Sequence, residues 1–453
     1  MVDLEFIARS AKKEEALKRI IDEYVFTKRF SVDRARQYAQ AVLEEVELSQ
    51  KAPSDEFLRY VLSTLESGVK AGEFGVGSRG KGDYIVHTLI AKIARSANEK
   101  SAQRVILEPI NRDDVGAVDV GEFKVVVGAV DGAHSRLSAF PFLMGFHDAR
   151  AALRDVCVKG AIPVALMDDV HLADDGDVSK IFEFVAGVCA VCELARVPLI
   201  SGSTLRVGGD MVLGDRLVGC VCAIGVLDDP SHLKSEIQAG SKIIMTEGSG
   251  GGTITTTALY SGHQDVVSET LNLDFFFAIE SLRNSGALKK ISHITDVTNG
   301  GVRGDLEILA KENGVKMLID EEEVFSVINP RVRRMLDELG IDPLGVSLDS
   351  LLMFVPEKYV EEVLNALPVR AKVVGEVQQG SGCFVKRKGA LETLTPKFRE
   401  SAYTKLKKLV GEDAPNNFEE LNKKVEEAFE KILQKKNALV SEIRKKYEVS
   451  RVD

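Results

Sequence analysis

The sequence predicts a mixed α/β (α+β) fold in which two α/β domains lie between helical segments at the two ends of the chain. From about residue 100 to 228, β-branched runs such as FKVVVGAVD and RLVGCVCAIGVL alternate with helical stretches. A second alternating series begins at SKIIMTEG, after the turn-like DDPSH. Residues 1–72 and those after about 390 have the apolar spacing of amphipathic helices. We therefore expect four units, at residues 1–72, 73–228, 229–388 and 389–453.

The composition is that of a folded, acidic protein. Of its 453 residues, 45% are hydrophobic and 28% are charged, and the formal net charge is −10. This charge argues against a nucleic-acid partner, because binding to a phosphate backbone needs a basic surface. No run of about 18 apolar residues is present to cross a bilayer, and the N-terminal MVDLEFIARS mixes charged with apolar residues. We expect a cytoplasmic protein without a membrane partner.

Both ends of the chain are expected to be helical. In the first segment Ser31 and Ser54 stand where helix N-caps are expected, and Gly72 ends the segment. In the last segment one helical face carries the apolar residues Phe418, Leu421, Val425, Phe429, Ile432, Ile443 and Tyr447. Lys435 and Lys436 interrupt the heptad pattern, so a helix packed on its own domain is favoured over a coiled coil.

A glycine-rich segment, GEFGVGSRGKGD, follows the helical extension. Its glycines stand at 72, 75, 77, 80 and 82, with Arg79 and Lys81 between them. Bare backbone N–H groups with nearby cations suit a phosphate, although the spacing matches neither a P-loop nor a dinucleotide fingerprint. A hinge after the extension explains the same composition equally well, and both interpretations stay open.

Four of the six cysteines form one C-x-x-C and one C-x-C pattern, and such patterns occur in metal and redox sites. They stand at positions 157, 189, 192, 220, 222 and 383. Cys189 and Cys192 lie in the apolar run FVAGVCAVCELA, and Cys220 and Cys222 lie in the strand-like LVGCVCAIGV. Because free cysteine in such runs behaves as a small hydrophobic residue, we favour buried thiols over a metal site.

Four aspartates stand at strand and helix positions that would bring them together. Asp113 and Asp114 precede a strand, Asp131 ends the strand VVVGAVDGAH, and Asp155 lies on the next helix. Two carboxylates about 4 Å apart repel by about 4 kcal/mol at an effective dielectric near 20, and a divalent cation offsets this repulsion. Carboxylates without histidine or cysteine suit Mg²⁺ and nucleotide chemistry. Aspartate is also common in turns and caps, so the spacing alone leaves both interpretations open.

The order of these segments resembles the PurM-like superfamily of aminoimidazole ribonucleotide (AIR) synthetase, thiamine-monophosphate kinase, selenophosphate synthetase and the hydrogenase-maturation carbamoyl dehydratase. The matching segments are Asp113-Asp114 with Ala117-Val118, Asp131-Gly132, and Asp155 with Gly160, Ala161 and Pro163. Further matches follow in order at ISGSTLRVGG, AGSKIIMTEGSG, ITDVTNGGVRGDL and LGIDPLGVSLDSLLMFVP. The resemblance covers about residues 72–388, and no single motif is specific, but seven occur in a fixed order.

The resemblance implies a two-domain AIR synthetase-like (PurM-like) fold that dimerises through its N-terminal domain and binds ATP between the domains. By position, Asp113, Asp114, Asp131 and Asp155 would hold Mg²⁺. The residues that would contact ATP are Asp131, Gly132, Asp155, Thr204, Asp296, Thr298, Asn299, Gly300 and Gly301. For the second-domain residues, a helix cap followed by packing glycines is the alternative.

Departures from the family patterns argue against two of its reactions. No cysteine precedes Cys157, whereas selenophosphate synthetase carries a reactive cysteine or selenocysteine in its glycine-rich segment. The chain ends in YEVSRVD, whereas the hydrogenase-maturation enzyme ends in a cysteine. The Asp131-Gly132 pair is followed by Ala-His-Ser-Arg rather than the threonine and lysine of AIR synthetase, and Ser203 replaces an acid. The chain is therefore expected to belong to an orphan subfamily related to AIR synthase.

The expected function is that of an ATP- and Mg²⁺-dependent enzyme that phosphorylates, or activates by phosphorylation, an oxygen of a small molecule. Lys81 and Arg79 would close over the phosphates, and His134 would act as an acid or base. For His134 and His171 the alternative is a hydrogen-bonded or exposed loop histidine. A non-catalytic, nucleotide-binding dimeric scaffold and a cysteine-based redox or metal carrier are the competing functions.

Overall fold

The computed structural model describes residues 1–49, 56–62, 67–69, 71–75, 80–99, 104–107, 116–121, 124–227, 236–298 and 300–447. Over these residues the chain forms two large β-sheets covered by helices, with further helices at both ends. The predicted mixed α/β (α+β) class is therefore confirmed. None of the helices in these ranges is long and apolar enough to cross a membrane.

The N-terminal extension is a small helical unit with its own core. The elements before the first sheet are β1 (Val2–Asp3), α1 (Leu4–Ser10), α2 (Lys13–Lys28), α3 (Val32–Ser49), α4 (Glu56–Leu62), α5 (Ala71–Phe74) and α6 (Lys81–Asn98). Helices α1, α2 and α3 form this core, whereas α5 and α6 contribute to a separate cluster with the C-terminal helix. The buried side chains of Leu4, Ile20 and Leu213 join this core, and β1 pairs with a short strand of the following domain. Gly72 lies inside α5, and Lys81 begins α6.

The first sheet contains six strands among the described residues, in the order β2-β3-β4-β8-β5-β6. Only β5 and β6 run parallel, and the other neighbours are antiparallel. The strands and helices of this part are β2 (Val105–Leu107), β3 (Gly116–Gly121), β4 (Lys124–Gly132), α7 (Pro141–Val158), β5 (Ile162–Leu172), α8 (Ser179–Ala195), β6 (Leu199–Arg206), β7 (Val212–Leu213) and β8 (Leu217–Leu227).

Side chains alternate between the two faces of this sheet. Val125, Val127 and Ala129 of β4 are buried and join the core that α7 and α8 form over one face. Val130, between them and Asp131, is 66% exposed on the other face. The odd-numbered positions of β4, including Asp131, therefore face α7, because successive side chains of a strand point to opposite faces.

Among the residues that the structure describes, the second sheet contains seven strands in the order β10-β12-β9-β13-β11-β14-β15, of which only β11 and β14 are parallel. Its strands are β9 (Ser241–Thr246), β10 (His293–Asp296), β11 (Lys316–Asp320), β12 (Leu351–Pro356), β13 (Ala371–Gln378), β14 (Gly382–Arg387) and β15 (Ala390–Thr393). Its helices are α9 (Gly252–Ser261), α10 (Val267–Thr270), α11 (Asp274–Ser285), α12 (Gly301–Asn313), α13 (Glu321–Ser326), α14 (Pro330–Leu339) and α15 (Val360–Ala366).

The chain ends in the short helix α16 (Lys405–Val410) and the long helix α17 (Phe418–Tyr447). The predicted apolar face of α17 packs in part on the chain itself. Phe418 and Leu421 are buried in a cluster with Phe74 and Phe398, and Val425 packs against it. Ile432 and Ile443, further along the same helix, are exposed. The first half of α17 is therefore packed on α5 and on the segment that precedes α16.

Candidate functional site

The site begins at the end of β4. Asp131 lies opposite Val221 of β8, and Asp168 of β5 lies opposite the same residue. The two aspartates therefore occupy one cross-strand row on the face that α7 covers. After Gly132 the chain turns, and the amide of Ala133 donates to the carbonyl of Gly219 over 2.9 Å. This turn carries His134 to the edge of the sheet.

Helix α7 places two arginines and an aspartate above this row. Pro141 stands at its first position, where its missing N–H costs nothing. Arg150 and Arg154 are four residues apart and lie on one face of the helix. Their side chains are only 3% and 4% exposed, and Asp155 beside them is 15% exposed. Buried guanidinium groups need partners, and those partners come from the second domain.

Two aspartates of the second domain bind these arginines. Arg154 donates through Nε to Asp296 at the end of β10, and through Nη1 to Asp349 over 2.9 Å. Arg150 donates through Nη1 to the same Asp349 carboxylate. The Ser347 hydroxyl donates to the other oxygen of Asp349 over 2.7 Å. The two domains are thus joined by a buried ionic network at the candidate site.

Asp349 sits in an unusual backbone conformation, with a φ of 54°. A residue other than glycine rarely adopts this left-handed region, although aspartate does so more often than most, and such positions occur at ligand clamps and active sites. Its amide donates to the carbonyl of Val297, one residue after Asp296, over 2.9 Å. The strained turn therefore holds Asp349 beside the end of β10. Asp349 and Asp296 can both contact Arg154 from there.

The charges of this network depend on one another. Burial opposes the charge of Arg154, but Asp296, Asp349, Asp155 and Asp131 outweigh it and hold its pKa well above the usual value. Burial likewise opposes the ionised form of Asp349, but Arg154, Arg150 and the Ser347 hydroxyl lower its pKa to about 2. Three carboxylates lie within 3.6 Å of Arg154, and the charge of Asp131 also acts on it, so the carboxylates outnumber the two arginines of the network.

Asp148 behaves differently from these aspartates. It lies on α7 and is 4% exposed. Burial, followed by the charges of Asp131 and Asp168, raises its pKa well above the usual value. Its surroundings therefore favour the protonated form of Asp148, in contrast to Asp349.

His134 lies where the two domains and the C-terminal tail meet. Its Nδ1 is 3.2 Å from the hydroxyl of Thr256 on α9, and its Nε2 is 2.9 Å from the hydroxyl of Tyr403. Burial and the nearby charges of Lys407 and Arg136 lower its pKa to about 4. The ring is therefore neutral at pH 7. One of its nitrogens carries a proton and donates a hydrogen bond, and the other accepts a hydrogen bond.

The other predicted site residues lie outside the described ranges, on β6 and the turn into α12, or at Lys81 and His171. Arg79, Asp113, Asp114 and Asn299 lie outside the described residues. Thr204 is exposed on β6, and Thr298, Gly300 and Gly301 form the turn into α12. Gly301 has a φ of 65°, and a Cβ there would lie 2.4 Å from the carbonyl oxygen of Leu344. Close packing thus accounts for this glycine, as the alternative interpretation expected, while a role in ATP binding stays a prediction.

Lys81 and His171 make local contacts. Lys81 Nζ lies 3.6 Å from the Glu419 carboxylate and 5.1 Å from the centre of the Phe418 ring, both on α17. His171 Nε2 lies 3.0 Å from Asp169 on the same strand. A catalytic role of Lys81 stays a prediction, and in this structure its ammonium group is directed toward the C-terminal helix.

Sequence reasoning missed Arg150, Arg154, Asp349 and Tyr403. The spacing of the two arginines in RAALRDV, on the helix that carries Asp155, was a usable signal, because residues four apart share a helix face. Asp349 lies within LGIDPLGVSLDSLLMFVP, one of the segments that carry the resemblance, and this was a usable signal, whereas Tyr403 had none. Both reach the site only through contacts between distant parts of the chain.

The donors at the site are carboxylate oxygens, which Mg²⁺ prefers. Within the ranges that the structure describes, no three His, Cys, Asp or Glu side chains are grouped to hold a metal ion. Two of the four predicted ligands, Asp113 and Asp114, fall outside those ranges. The six cysteines are free thiols, and Cys157, Cys192 and Cys383 are buried.

Comparison with known proteins identifies the two domains. Residues 112–227 match the N-terminal domain of AIR synthase related proteins, and residues 238–388 match the C-terminal domain. An uncharacterized protein of Methanocaldococcus jannaschii is 48% identical over 449 residues, which cover 97% of this chain and 98% of the relative.

Two solved structures share the fold. Hydrogenase maturation protein HypE in complex with ATP has a TM-score of 0.51 and 19% identity, and the match covers 73% of this chain and 96% of that chain. AaThiL complexed with AMPPCP and TMP has a TM-score of 0.53 and 18% identity, covering 69% and 95%. The resemblance stated from the sequence is confirmed, and the chain belongs to the AIR synthase related family, with its PurM-like fold.

Proposed function

We propose that the chain is an ATP- and Mg²⁺-dependent enzyme that transfers phosphate to an oxygen of a small molecule, or activates such an oxygen by phosphorylation. The observation that carries this proposal is the excess of carboxylates around Arg154, contributed by both domains. A triphosphate is itself anionic and would be repelled from such a site without a divalent cation. Two proteins of the same fold were solved as complexes with ATP and with AMPPCP.

In this proposal Asp131 and Asp155, with Asp113 and Asp114, hold Mg²⁺ and through it the phosphates. When bound, the ion would neutralise charge on the transferring phosphoryl group. Arg154 already neutralises Asp296 and Asp349, and these two carboxylates fix its position. Asp131 on β4 and Asp155 on α7 are the ligands that the family resemblance implies, and Asp155 also lies 3.6 Å from Arg154.

His134 lies three residues after Asp131 and is the proposed acid or base. Both of its ring nitrogens contact hydroxyls, of Thr256 and Tyr403, so in this proposal the proton of the reacting hydroxyl reaches the imidazole through one of these two hydroxyls. The bond that forms would join the substrate oxygen to the terminal phosphorus of ATP, and the bond that breaks would release ADP. Arg79 and Lys81 are the cations of the glycine-rich segment proposed to cover the phosphates.

We also propose that the enzyme is a homodimer formed through the open face of the six-stranded sheet. Val130, Ile162 and Leu205 are 66%, 50% and 57% exposed on that face in a single chain. Cys220 and Cys222 of β8 lie between them and are partly exposed. The same face also carries Asp169 and His171 of β5, opposite Cys220 and Val218. An exposed apolar patch beside such polar residues is typical of a surface that another protein covers.

Isothermal titration calorimetry tests the metal assignment. ATP should bind in Mg²⁺ and lose at least about tenfold in affinity in excess chelator, since at least about 1.4 kcal/mol of phosphate repulsion returns. The double variant Asp131→Asn with Asp155→Asn should lose the same affinity in Mg²⁺. The matched control, Asp22→Asn with Asp33→Asn, changes two exposed aspartates of the helical extension and should bind as the wild type does. Equal ATP affinity with chelator, or in the site double variant, would contradict the assignment.

A further inference from the structure

The segment between β15 and α17 lies beyond both matched domains, which end at residue 388. It nevertheless crosses the surface of the candidate site. The amide of Ser401 donates to the carbonyl of Gly345 over 2.9 Å, and Ser401 is 2% exposed. The amide of Ala402 donates to the Glu412 carboxylate over 2.9 Å. We call residues 398–403 the tail strap, and these bonds fix its course.

One end of the tail strap packs on the glycine-rich segment. Phe398 lies in the buried cluster with Phe74 and Phe418. A Cβ added to Gly80 would lie 1.6 Å from the carbonyl oxygen of Phe398, so only glycine permits this approach. This contact gives Gly80 a packing role that neither the phosphate nor the hinge interpretation of the segment included.

The other end of the tail strap reaches His134. Tyr403 is 5% exposed, and its hydroxyl lies 2.9 Å from Nε2 of His134. Thr256 of the second domain occupies the other ring nitrogen. The imidazole therefore joins three parts of the chain: the turn after Asp131, helix α9 and the tail.

We propose that Tyr403 is a positioning residue, whose hydroxyl holds His134 in one orientation and one tautomer and so fixes the turn after Asp131 against the second domain. A neutral imidazole has one donor and one acceptor nitrogen. Both partners are hydroxyls that can donate or accept, but a phenol is a stronger donor than an aliphatic hydroxyl, so Tyr403 favours the tautomer in which Nε2 accepts from it and Nδ1 donates to Thr256. Two partners on opposite sides also stop the ring from flipping. The tail thereby completes a site that the two matched domains do not complete alone.

This inference rests on the proposed function for its catalytic consequence, but its structural part can be tested separately. The probe is Tyr403→Phe in the full chain, which removes one oxygen atom and keeps the ring. The matched control is Tyr24→Phe, which removes the hydroxyl of another buried tyrosine, in the N-terminal extension. Thermal unfolding of both variants shows whether each remains folded.

The first measurement is the ¹⁵N spectrum of the histidine side chains, of which the chain has 7. The His134 signals are assigned by their loss in His134→Gln. The wild type and Tyr24→Phe should show a single His134 tautomer, and Tyr403→Phe should show signals averaged between two tautomers. Identical His134 signals in all three proteins would overturn the proposal, whether or not the chain uses ATP.

The second measurement is ATP turnover with a substrate found by a phosphate-release screen. In Tyr403→Phe we expect kcat to fall about tenfold while the Kd for ATP stays within about twofold, the pattern of an interaction that acts on the barrier. Thr256→Val removes the hydroxyl beside Nδ1 and should also lower kcat. Thr256→Ser keeps a hydroxyl at this position and should retain the wild-type kcat. Unchanged kcat in Tyr403→Phe would overturn the positioning role. Absence of ATP binding by the wild type would instead count against the proposed function, and the histidine spectrum would still decide whether Tyr403 holds His134.

Discussion

Arg154 occupies the position at which the charges of the two domains meet. Its guanidinium binds Asp296 and Asp349 of the second domain, and Asp155 of its own helix lies 3.6 Å away. The Asp296 side chain is completely buried in this arrangement. The sequence motif that contains Asp296 therefore contributes to the joining of the domains, through a protein cation that sequence reasoning did not anticipate.

Replacement of Arg154 by methionine tests how strongly this network holds the domains together. Methionine fills much of the same space but leaves Asp296 and Asp349 buried without this cation. Loss of one partner from a buried ion pair costs about 3–5 kcal/mol. We expect a loss of that size in the free energy of unfolding, measured by urea denaturation.

Arg104→Met is the matched control for Arg154→Met. Arg104 makes an ion pair with Asp119 over 3.0 Å, but its side chain is 76% exposed. Exposed pairs contribute about 0–1 kcal/mol, because water screens both charges. A similar small loss in both variants would mean that the buried network contributes little to stability.

At the scale of single residues, the sequence could identify candidates within one motif but not their partners. Asp131 and Asp155 follow from a strand end and a helix position that are close in the chain. Arg154 and Asp349 are 195 residues apart, and His134 and Tyr403 are 269 residues apart. No local pattern encodes such pairs, because they depend on how two domains and a tail pack.

At the scale of elements, helices α7 and α8 pack unusually closely through a pair of glycines. A Cβ on Gly145 of α7 would lie 2.0 Å from the carbonyl oxygen of Phe184. A Cβ on Gly187 of α8 would lie 2.1 Å from the carbonyl oxygen of Phe142. The missing side chain at each glycine therefore lets the backbone of the other helix approach closely. This contact sets the position of α7, which carries Arg150, Arg154 and Asp155.

Gly145→Ala and Gly187→Ala should each destabilise the protein, although alanine is the better helix former. The added methyl group meets backbone atoms that cannot turn aside, and such overpacking costs about 1–3 kcal/mol. Gly304→Ala is the control, because a Cβ at that position in α12 meets nothing within 4 Å. It should stabilise by up to about 1 kcal/mol. Chemical denaturation measures the free energy of unfolding of the three variants. Equal values for Gly145→Ala and Gly304→Ala would show that α7 and α8 can move apart to fit the methyl group without loss of stability.

Many elements follow from local patterns, whereas their arrangement does not. The β-branched runs become β4 and β8, and the apolar spacing near the C-terminus becomes α17. The order of strands in each sheet, with one parallel pair among antiparallel neighbours, is not readable from these patterns. A run of Val and Ile fits a central strand in either direction, because hydrophobic periodicity reports burial and not the identity of the neighbouring strand.

At the scale of the whole molecule, the two faces of the six-stranded sheet differ. Helices α7 and α8 cover one face, where Leu217, Val221 and Ala223 of β8 are buried. On the other face the alternate residues of the same strand are only partly buried, and Val130 of the neighbouring strand is exposed. The sequence RLVGCVCAIGVL predicts a strand apolar on both sides, and in a single chain only one of those sides is fully covered.

A two-fold dimer through this open face would bury the second side of β8. A stable interface of this kind buries about 1,200–2,000 Å² in total, and a charge placed at its apolar centre would lose hydration without gaining a partner. We therefore expect the wild type to have twice the mass of one chain in light scattering at micromolar concentration. Val130→Arg should give the mass of a single chain. Leu409→Arg places the same charge on an apolar residue of α16, which is not part of the six-stranded sheet, and should remain a dimer; Leu409 is 85% exposed. A monomeric wild type, or a dimer that persists unchanged in Val130→Arg, would show that this face is not the dimer interface.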